Sequence, residues 1–187
     1  MTSRVMAYVR SLALTGRCLD VGSYNVNGSV RELFRDYTGL DMRPGPNVDV
    51  VAPGNAIPFP DASFDVVCCL EMLEHDRDPF GTVREMRRVL RPGGHLVLTV
   101  PSIGFARHNY PSDYWRMTAD GLAVLMDGMD GVLVFEDRTH SYGTGREPEW
   151  TERMSPTYAI WTTDANGKRV RVPGHAVFVQ KRKVVTE

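Results

Sequence analysis

Two acidic residues that end short apolar segments are the first positions in this sequence at which chemistry could take place. Asp20 lies near the end of CLDVG, and Asp41 ends TGLD. Side chains at the carboxyl ends of parallel strands lie where open α/β sheets bind ligands. Asp41 could accept hydrogen bonds from the hydroxyl groups of a ribose, and Asp20 could face a ligand. For Asp20, hydrogen bonding to nearby backbone amides is the alternative.

The turn that follows Asp20 has too few glycines for a dinucleotide site. Gly22 ends the first predicted strand and Gly28 precedes a predicted helix. The dinucleotide pattern G-x-G-x-x-G would also require glycine at Tyr24 and Asn27. An acidic turn that cradles no pyrophosphate suits a cofactor with positive charge, and S-adenosylmethionine (SAM) carries a sulfonium and an ammonium group. A plain strand–turn–helix connection explains the turn equally well on its own.

A second group of reactive side chains lies in the segment RHNYPSDYWRMT. His108 is the first candidate for a general base, with Asp113 as its partner or as the base itself. Tyr110, Tyr114 and Trp115 are candidates for binding an acceptor. The alternative is an aromatic loop that is anchored on the sheet by packing.

The helices that must position these groups are predicted from apolar spacing and capping signals. RVMAYVRSLAL has helical spacing. Ser29 and Glu32 form a capping box and predict a helix after the first strand. Asp78 is predicted to cap a later helix that Gly93–Gly94 end. The first capped helix would carry on its apolar face Val30, Leu33, Phe34 and Tyr37. The second would carry Phe80, Val83, Met86, Val89 and Leu90.

The predicted strands alternate with helices at first and then follow one another. FDVVCCL and HLVLTVP are continuous apolar runs, which are typical of strands covered on both faces. Only RPGPN separates TGLDM from VDVVA, which is too short for a crossover helix, so we expect a trimmed or displaced strand at this edge. The last third contains GVLVFED, TYAIWTT, KRVRV and HAVFVQKR, with a hairpin signal in DANGK. This order predicts an α/β fold with a largely parallel sheet and antiparallel strands at one side.

Composition limits the class of protein. The chain has 187 residues, a formal net charge of −1 and 42% hydrophobic residues, which suits one globular domain. A near-neutral charge favours neither nucleic acid nor an anionic membrane as partner. Three cysteines lie in apolar runs and are expected to be reduced core residues. The first residues have no signal-peptide pattern, so we expect a cytoplasmic protein.

Four segments occur in the order of a known family: LDVGSYNVNGS, YTGLDM, IPFPDASFDVVCCLEMLEH and EMRRVLRPGGHLVLTVP. Over residues 17 to about 125 the chain resembles class I SAM-dependent methyltransferases, most closely the type 11 group of small bacterial enzymes. The resemblance implies SAM as cofactor and a Rossmann-like, mostly parallel seven-stranded sheet with helices on both faces. It also implies a single domain over 1–187, with an N-terminal helix (1–16), a cofactor-binding core (17–125) and C-terminal strands with substrate-side loops (126–187).

The resemblance also implies roles for individual residues. Asp41 matches the acid that holds both ribose hydroxyls, with Met42 beside the adenine. Leu70 and Glu71 match the end of the fourth strand, beneath the methionyl and ribose groups, and His75 matches a common histidine one helical turn later. The loop around the methionine part of the cofactor matches Asp20, Gly22, Ser23, Tyr24 and Asn25.

Two features qualify this assignment. Pro53–Gly54 stands where relatives often have Asp-Ala, whose aspartate binds the adenine amino group, so Asn55 or a backbone carbonyl would have to replace it. Glu71 and His75 are four positions apart, a spacing that metal ligands can have on a helix. No second histidine pair lies nearby in the sequence, and we therefore expect no metal.

The sequence thus predicts a SAM-dependent methyltransferase for a small-molecule acceptor, by O- or N-methylation of a sugar or natural-product-like compound. A SAM-binding accessory protein without transferase activity is the alternative, and a Rossmann-type nucleotide-sugar or nicotinamide enzyme is a third. Because the segment before the first strand is short, the acceptor is expected to be partly exposed, or covered by a second subunit of a homodimer.

Overall fold

The computed structural model describes residues 3–26, 28–101, 107–108, 112–117, 119–126, 129–135, 161–163, 169–171 and 176–182. Its helices are α1 (Ser3–Ser11), α2 (Pro79–Val89) and α3 (Ala119–Leu125). Its strands are β1 (Arg17–Val21), β2 (Asp36–Asp41), β3 (Val50–Val51), β4 (Phe64–Leu70), β5 (Leu90–Val100), β6 (Met129–Phe135), β7 (Trp161–Thr163), β8 (Arg169–Arg171) and β9 (Ala176–Arg182). Single 3-10 turns lie at Arg31–Leu33 and Leu73–His75.

Five parallel strands form the centre of the sheet, in the order β3-β2-β1-β4-β5. In this register Asp20 of β1 lies beside Gly39 of β2 on one side and Cys68 of β4 on the other. The mostly parallel α/β sheet that the sequence predicts is therefore confirmed. Because the strands are parallel, their carboxyl ends meet at one edge of the sheet.

The sheet continues beyond β5 with strands from the last third of the chain. β9 pairs with β5 in the antiparallel direction, and β6 pairs antiparallel with β9. A separate antiparallel pair, β7 and β8, flanks the segment with the Asn-Gly hairpin signal. Within the part of the chain that the structure describes, no helix is long and apolar enough to cross a membrane.

The edge strand β3 is short, as the short connection predicts. It contains two residues and pairs in parallel with the end of β2, and no helix lies in residues 42–49. The connection is instead held by backbone hydrogen bonds. The amide of Asp49 donates to the Gly39 carbonyl at 2.8 Å, and the amide of Ala52 donates to the Asp41 carbonyl at 2.9 Å.

The prediction of a helix between β1 and β2 is wrong. Only the 3-10 turn Arg31–Leu33 forms there, and the Ser29 hydroxyl accepts from the nearby Arg31 amide at 3.0 Å. The Arg31 side chain reaches across to Asn47 and Asp49, which ties the segment to the β2–β3 connection. Tyr37, expected on the helix face, belongs to β2. A local capping signal did not prevail over these long-range contacts.

Helix α2 begins as predicted but ends early. Asp78 caps it by accepting a hydrogen bond from the Gly81 amide at 2.9 Å. The helix ends at Val89 rather than at Gly93–Gly94. Pro92 disfavours helical backbone at the residue before it, which is consistent with β5 starting directly after the helix.

The core consists of two clusters, one on each face of the sheet. On one face, Leu19 and Val67 pack with helices α2 and α3, represented by Met86 and Leu122. On the other face, the alternate strand residues pack with α1 and with the turn after β1, and they are Cys18, Val66, Cys68 and Val97. The cysteines are free and buried, which confirms their predicted role as core residues.

Helix α2 offers a matched test of this packing. Met86 is fully buried, whereas Phe80, predicted on the apolar face, is 60% exposed. We expect Met86→Ala to lower the free energy of unfolding by about 2–5 kcal/mol. Phe80→Ala should change the free energy of unfolding by less than about 1 kcal/mol, because most of the Phe80 side chain is already exposed to solvent. Urea unfolding measures both, and equal losses would contradict the assigned helix face.

Candidate cofactor and acceptor site

The carboxyl edge of the sheet brings together three predicted groups from different strands. Asp20 is in β1, Asp41 ends β2 and Leu70 ends β4. Asp20 and Asp41 are both buried, at 5% and 9% exposure. Buried carboxylates at this edge are unusual unless they are hydrogen-bonded or face a ligand.

A hydrogen-bond network that sequence reasoning missed supports Asp20. The Tyr37 hydroxyl donates to Asp20 Oδ2 at 2.6 Å, and the Asn47 side-chain amide donates to Tyr37 at 2.7 Å and to the Ser23 carbonyl at 3.0 Å. Burial raises the pKa of Asp20 to about 6, although the Tyr37 hydrogen bond opposes this shift. A cation near Asp20 would favour its ionised form.

The loop after β1 depends on Gly22. Its φ of +84° is in the left-handed region, and a Cβ there would lie 2.3 Å from Cγ of Met72. The amides of Gly22 and Ser23 both donate to the Leu40 carbonyl, at 2.8 and 3.1 Å. Ser23 is buried, and its hydroxyl has no hydrogen-bond partner within the described residues. That hydroxyl is available to a ligand.

The side chains of Tyr24 and Asn25 make local contacts. The Tyr24 amide lies 3.4 Å from Asp41 Oδ2, and its ring lies under the guanidinium of Arg43 at 5.1 Å. Asn25 Oδ1 accepts from the Gly28 amide at 3.0 Å. The backbone of this loop therefore approaches Asp41, while the two side chains are engaged by residues of the connections.

Of the residues predicted around ribose and adenine, Asp41 and Met42 can face a ligand, whereas the side chain of Asn55 is engaged elsewhere. Asp41 Oδ1 accepts from the Arg43 amide at 3.0 Å, and each carboxylate oxygen can accept a further hydrogen bond. Met42 follows directly and is 69% exposed, so its side chain can cover a flat ring. Asn55 instead donates to Asp78 Oδ2 at 3.1 Å. Its side-chain amide supports the cap of α2.

Glu71 is held by the neighbouring strand. It has a φ of +53°, and its amide donates to the Thr99 carbonyl at 3.1 Å and to the Thr99 hydroxyl at 2.9 Å. Its Oε1 is buried without a hydrogen-bond partner among the described residues. Leu70, directly before it, is half-buried and packs against the cluster on the α1 face.

Glu74 is a site residue that sequence reasoning missed. It lies in the 3-10 turn after β4, is 1% exposed, and has no hydrogen-bond partner for either carboxylate oxygen in the described part of the chain. Burial, together with the charge of Glu71, raises the pKa of Glu74 to about 8. Its Oε1 lies 3.6 Å from Nε2 of His75 and 3.8 Å from Nε2 of His108. Its position next to His75 was the only signal in the sequence.

Asp113, predicted as the partner of His108 or as the base itself, is held by several contacts within the loop. Its side chain is 1% exposed and pairs with both terminal nitrogens of Arg116. It also accepts from the His108 amide at 2.9 Å, and its Oδ2 lies 3.2 Å from His108 Nδ1. The Arg116 guanidinium holds the pKa of Asp113 well below its usual range. Of the two predicted roles, the structure favours partner of His108.

The loop after β5 rests on the turn after β4. The Tyr114 amide donates to the Glu74 carbonyl at 2.7 Å, and the Trp115 indole donates to the Asp76 carbonyl at 2.6 Å. Both rings remain about two-fifths exposed, at 42% and 41%. These residues therefore combine anchoring hydrogen bonds with exposed ring surface. Tyr110 lies outside the described residues.

The comparisons with known proteins agree with this geometry. Residues 19–98, which run from β1 into β5, match the family model described as a methyltransferase domain. The 27-O-demethylrifamycin SV methyltransferase of Amycolatopsis mediterranei is 39% identical over 114 residues, which cover 58% of this chain and 39% of that protein. The chain thus spans about two-fifths of the length of this relative.

Solved structures share the fold of the methyltransferase domain. A SAM-dependent methyltransferase from Thermotoga maritima superposes with a TM-score of 0.66 at 18% identity, covering 96% of this chain and 88% of that one. The 1,6-didemethyltoxoflavin-N1-methyltransferase of Burkholderia thailandensis, with its bound substrate and S-adenosylhomocysteine, gives a TM-score of 0.60 at 14% identity, covering 97% and 78%. At these identities the likeness concerns the fold alone.

The raised pKa of Asp20 predicts a specific pH dependence of stability. Between pH values of about 4 and 6 the folded protein keeps a proton on Asp20 that the unfolded chain releases, so the wild type loses stability as the pH rises through this range. Asp20→Asn should lack this loss. Relative to the wild type, it should gain up to about 3 kcal/mol between pH 4 and pH 7 in chemical unfolding.

Tyr37→Phe provides a second test of the same carboxylate. Without the hydroxyl donor, the pKa of Asp20 should rise further. The loss of stability in this variant should therefore extend to higher pH than in the wild type. Parallel pH profiles for Asp20→Asn and the wild type would contradict the burial argument.

Proposed function

We propose that this protein is a SAM-dependent methyltransferase that transfers the methyl group to a small-molecule acceptor. One observation carries the proposal. The matched methyltransferase domain covers the strands whose carboxyl edge gathers the buried carboxylates Asp20 and Asp41, together with Glu71. The curated relative's name supports a small acceptor and O-methylation, and the structure with bound 1,6-didemethyltoxoflavin supports N-methylation as an equal option.

The residues of the site fit SAM in charge and in donor chemistry. Asp41 would accept from the ribose hydroxyls, with Met42 against the adenine. Asp20 and the free hydroxyl of Ser23 would face the methionine part, where a cation offsets the cost of a buried carboxylate. The buried oxygen of Glu71 is a further acceptor for the ribose or the ammonium group. SAM would supply a methyl group bonded to a sulfonium, and after the transfer the sulfur is part of a neutral thioether, the leaving group.

The acceptor would bind between the cofactor and the loop that carries His108. Methyl transfer needs mainly alignment of acceptor and methyl group, which a well-anchored loop can provide. Tyr114 and Trp115 present exposed ring surface to an acceptor such as a sugar or a natural-product-like compound. His108, half-buried and beside Asp113, is the proposed proton acceptor for a hydroxyl group.

The remaining expectations belong to the same proposal. Residues 1–187 would form one domain with a seven-stranded sheet, which the pairings of β9 and β6 support. We further propose a cytoplasmic protein that binds neither nucleic acid nor membranes, in keeping with its net charge of −1. A homodimer would cover an acceptor that the short α1 leaves partly exposed.

A SAM-binding accessory protein without transferase activity is the second candidate. Two observations favour it: the 3-10 turn Arg31–Leu33 stands in place of a helix after β1, and the side chain of Asn55 is engaged by Asp78 rather than available to adenine. A transfer assay with tritiated SAM and a panel of sugar, phenol and amine acceptors separates the two candidates. Product with any acceptor excludes the accessory role.

Asp41→Ala tests the cofactor site. It should raise the dissociation constant for SAM by roughly tenfold to hundredfold, because ribose hydrogen bonds worth about 1–3 kcal/mol are lost. Isothermal titration with SAM and S-adenosylhomocysteine measures this. Asp36→Ala, an exposed position at the other end of β2, is the matched control and should bind as the wild type does. Unchanged affinity in Asp41→Ala would contradict the placement of the ribose.

His108→Ala tests the acceptor side. Turnover should fall about a hundredfold or more, the usual contribution of a general base, while the affinity for SAM stays within about twofold. Single-turnover rates with the best acceptor from the panel, together with SAM titration of the same preparation, separate the two effects. Full activity would exclude His108 from the reaction.

A further inference from the structure

Three side chains from two segments converge beside the acceptor loop. Glu74 and His75 come from the turn after β4, and His108 comes from the loop after β5. One oxygen or nitrogen atom from each lies within 4.8 Å of the others. The Oε1 of Glu74 is the common point, at 3.6 Å from one imidazole and 3.8 Å from the other.

The carboxyl group of Glu74 is buried without a compensating hydrogen bond from the described residues. Its side chain is 1% exposed, and within the described residues neither carboxylate oxygen accepts a hydrogen bond. A buried carboxylate in this position lowers stability unless a cation or a donor compensates it. Two imidazoles lie within 4 Å of its Oε1, and their Nε2 atoms are metal ligands when the rings are neutral. The charges of Glu71, Asp113 and Arg116 also act on Glu74, two of them negative and one positive.

The other ring nitrogens support this orientation. The Nδ1 of His75 contacts the carbonyl of Ser112, which can only accept, so Nδ1 carries a proton, and in the neutral ring Nε2 has the lone pair that a metal ion would bind. The Nδ1 of His108 lies 3.2 Å from Asp113, a carboxylate that Arg116 holds in place. Histidines that bind metals usually have a carbonyl or carboxylate at the second ring nitrogen.

We propose that Glu74, His75 and His108 bind one divalent transition-metal ion. Two imidazoles and one carboxylate favour Zn²⁺, Co²⁺, Ni²⁺, Mn²⁺ or Fe²⁺ over Mg²⁺ and Ca²⁺, which prefer oxygen ligands. Ligand atoms of a tetrahedral ion lie about 3.3 Å apart. The two distances from Glu74 would have to close by a few tenths of an ångström, and the two histidines, whose ligand atoms lie within 4.8 Å of each other, would have to approach further on binding. Three protein ligands leave a coordination position open for water or for an oxygen of a small molecule.

This inference goes beyond the proposed methyl transfer and does not depend on it. It also revises the expectation from sequence, which considered Glu71 with His75 and predicted no metal. With a metal bound, His108 is a ligand and does not take a proton directly. His108→Ala lowers turnover in both cases, so the deciding test uses the metal itself and the position of Glu74.

The test is titration of chelator-treated full-length protein with Zn²⁺ by calorimetry and with Co²⁺ by visible absorption. We expect one equivalent to bind with a dissociation constant in the micromolar range or below. Glu74→Gln and His108→Gln should each weaken binding at least tenfold. Glu32→Gln, on the exposed surface, and His95→Gln, in the middle of β5, are matched controls and should bind as the wild type does.

Thermal unfolding shows whether each variant is folded. Glu74→Gln keeps the shape of the side chain. Because the raised pKa of about 8 leaves Glu74 largely protonated near pH 7 in the metal-free protein, the metal-free melting temperature of this variant should stay close to that of the wild type. Zn²⁺ should raise the melting temperature of the wild type and not that of Glu74→Gln. His108 is 37% exposed, so His108→Gln provides a second folded variant.

Two results would overturn the site: no saturable binding of either ion to the wild type, or wild-type affinity in both Glu74→Gln and His108→Gln. SAM titration of the metal-free protein is the separate readout for the proposed function. Loss of metal binding with SAM binding retained would reject this inference alone.

Discussion

The parallel pairing of β1 between β2 and β4 is the constraint on which the rest of the structure depends. It places Asp20 beside Gly39 and Cys68 and sends the carboxyl ends of all these strands to one edge of the sheet. Both faces of the sheet are closed by apolar packing, represented by Met86 on one face and Val9 on the other. At the carboxyl edge, polar side chains from distant parts of the sequence come together, and the connections there become the candidate site.

Burying several carboxyl groups at one edge of the sheet lowers the stability of the fold. The chain compensates the charge of each carboxyl group differently. Asp113 forms an ion pair with the guanidinium group of Arg116, whereas Asp20 accepts one hydrogen bond from the hydroxyl group of Tyr37. Glu74 receives no hydrogen bond from the described residues. Compensation from within the chain thus decreases from Asp113 to Asp20 to Glu74. The need for compensation by a proton or by a cation from outside increases in the same order, and on this ground we propose a cationic cofactor at Asp20 and a metal ion at Glu74.

The sequence predicted those parts of the fold and site that depend on local patterns. Buried parallel strands appear as apolar runs, so the amino-acid sequence alone was enough to place Asp20 and Asp41 at strand ends. The helix after β1 could not be excluded, because its capping box is local whereas the contacts of Arg31 with Asn47 and Asp49 are not. The role of Glu74 depends on contacts between the turn after β4 and the loop after β5, which no spacing in the sequence encodes.

The same contacts connect the two halves of the candidate site. The loop after β5 is fixed by backbone and indole hydrogen bonds from Tyr114 and Trp115 to the turn that carries Glu74 and Asp76. These bonds use the Tyr114 amide and the Trp115 indole nitrogen and leave ring surface exposed. Displacing an acceptor by about 1 Å can reduce a rate a hundredfold, so a loop attached directly to the cofactor side of the site has a clear advantage. In the proposed enzyme, the aromatic surface can then vary with the acceptor while the hydrogen bonds that hold the loop on the turn after β4 stay unchanged.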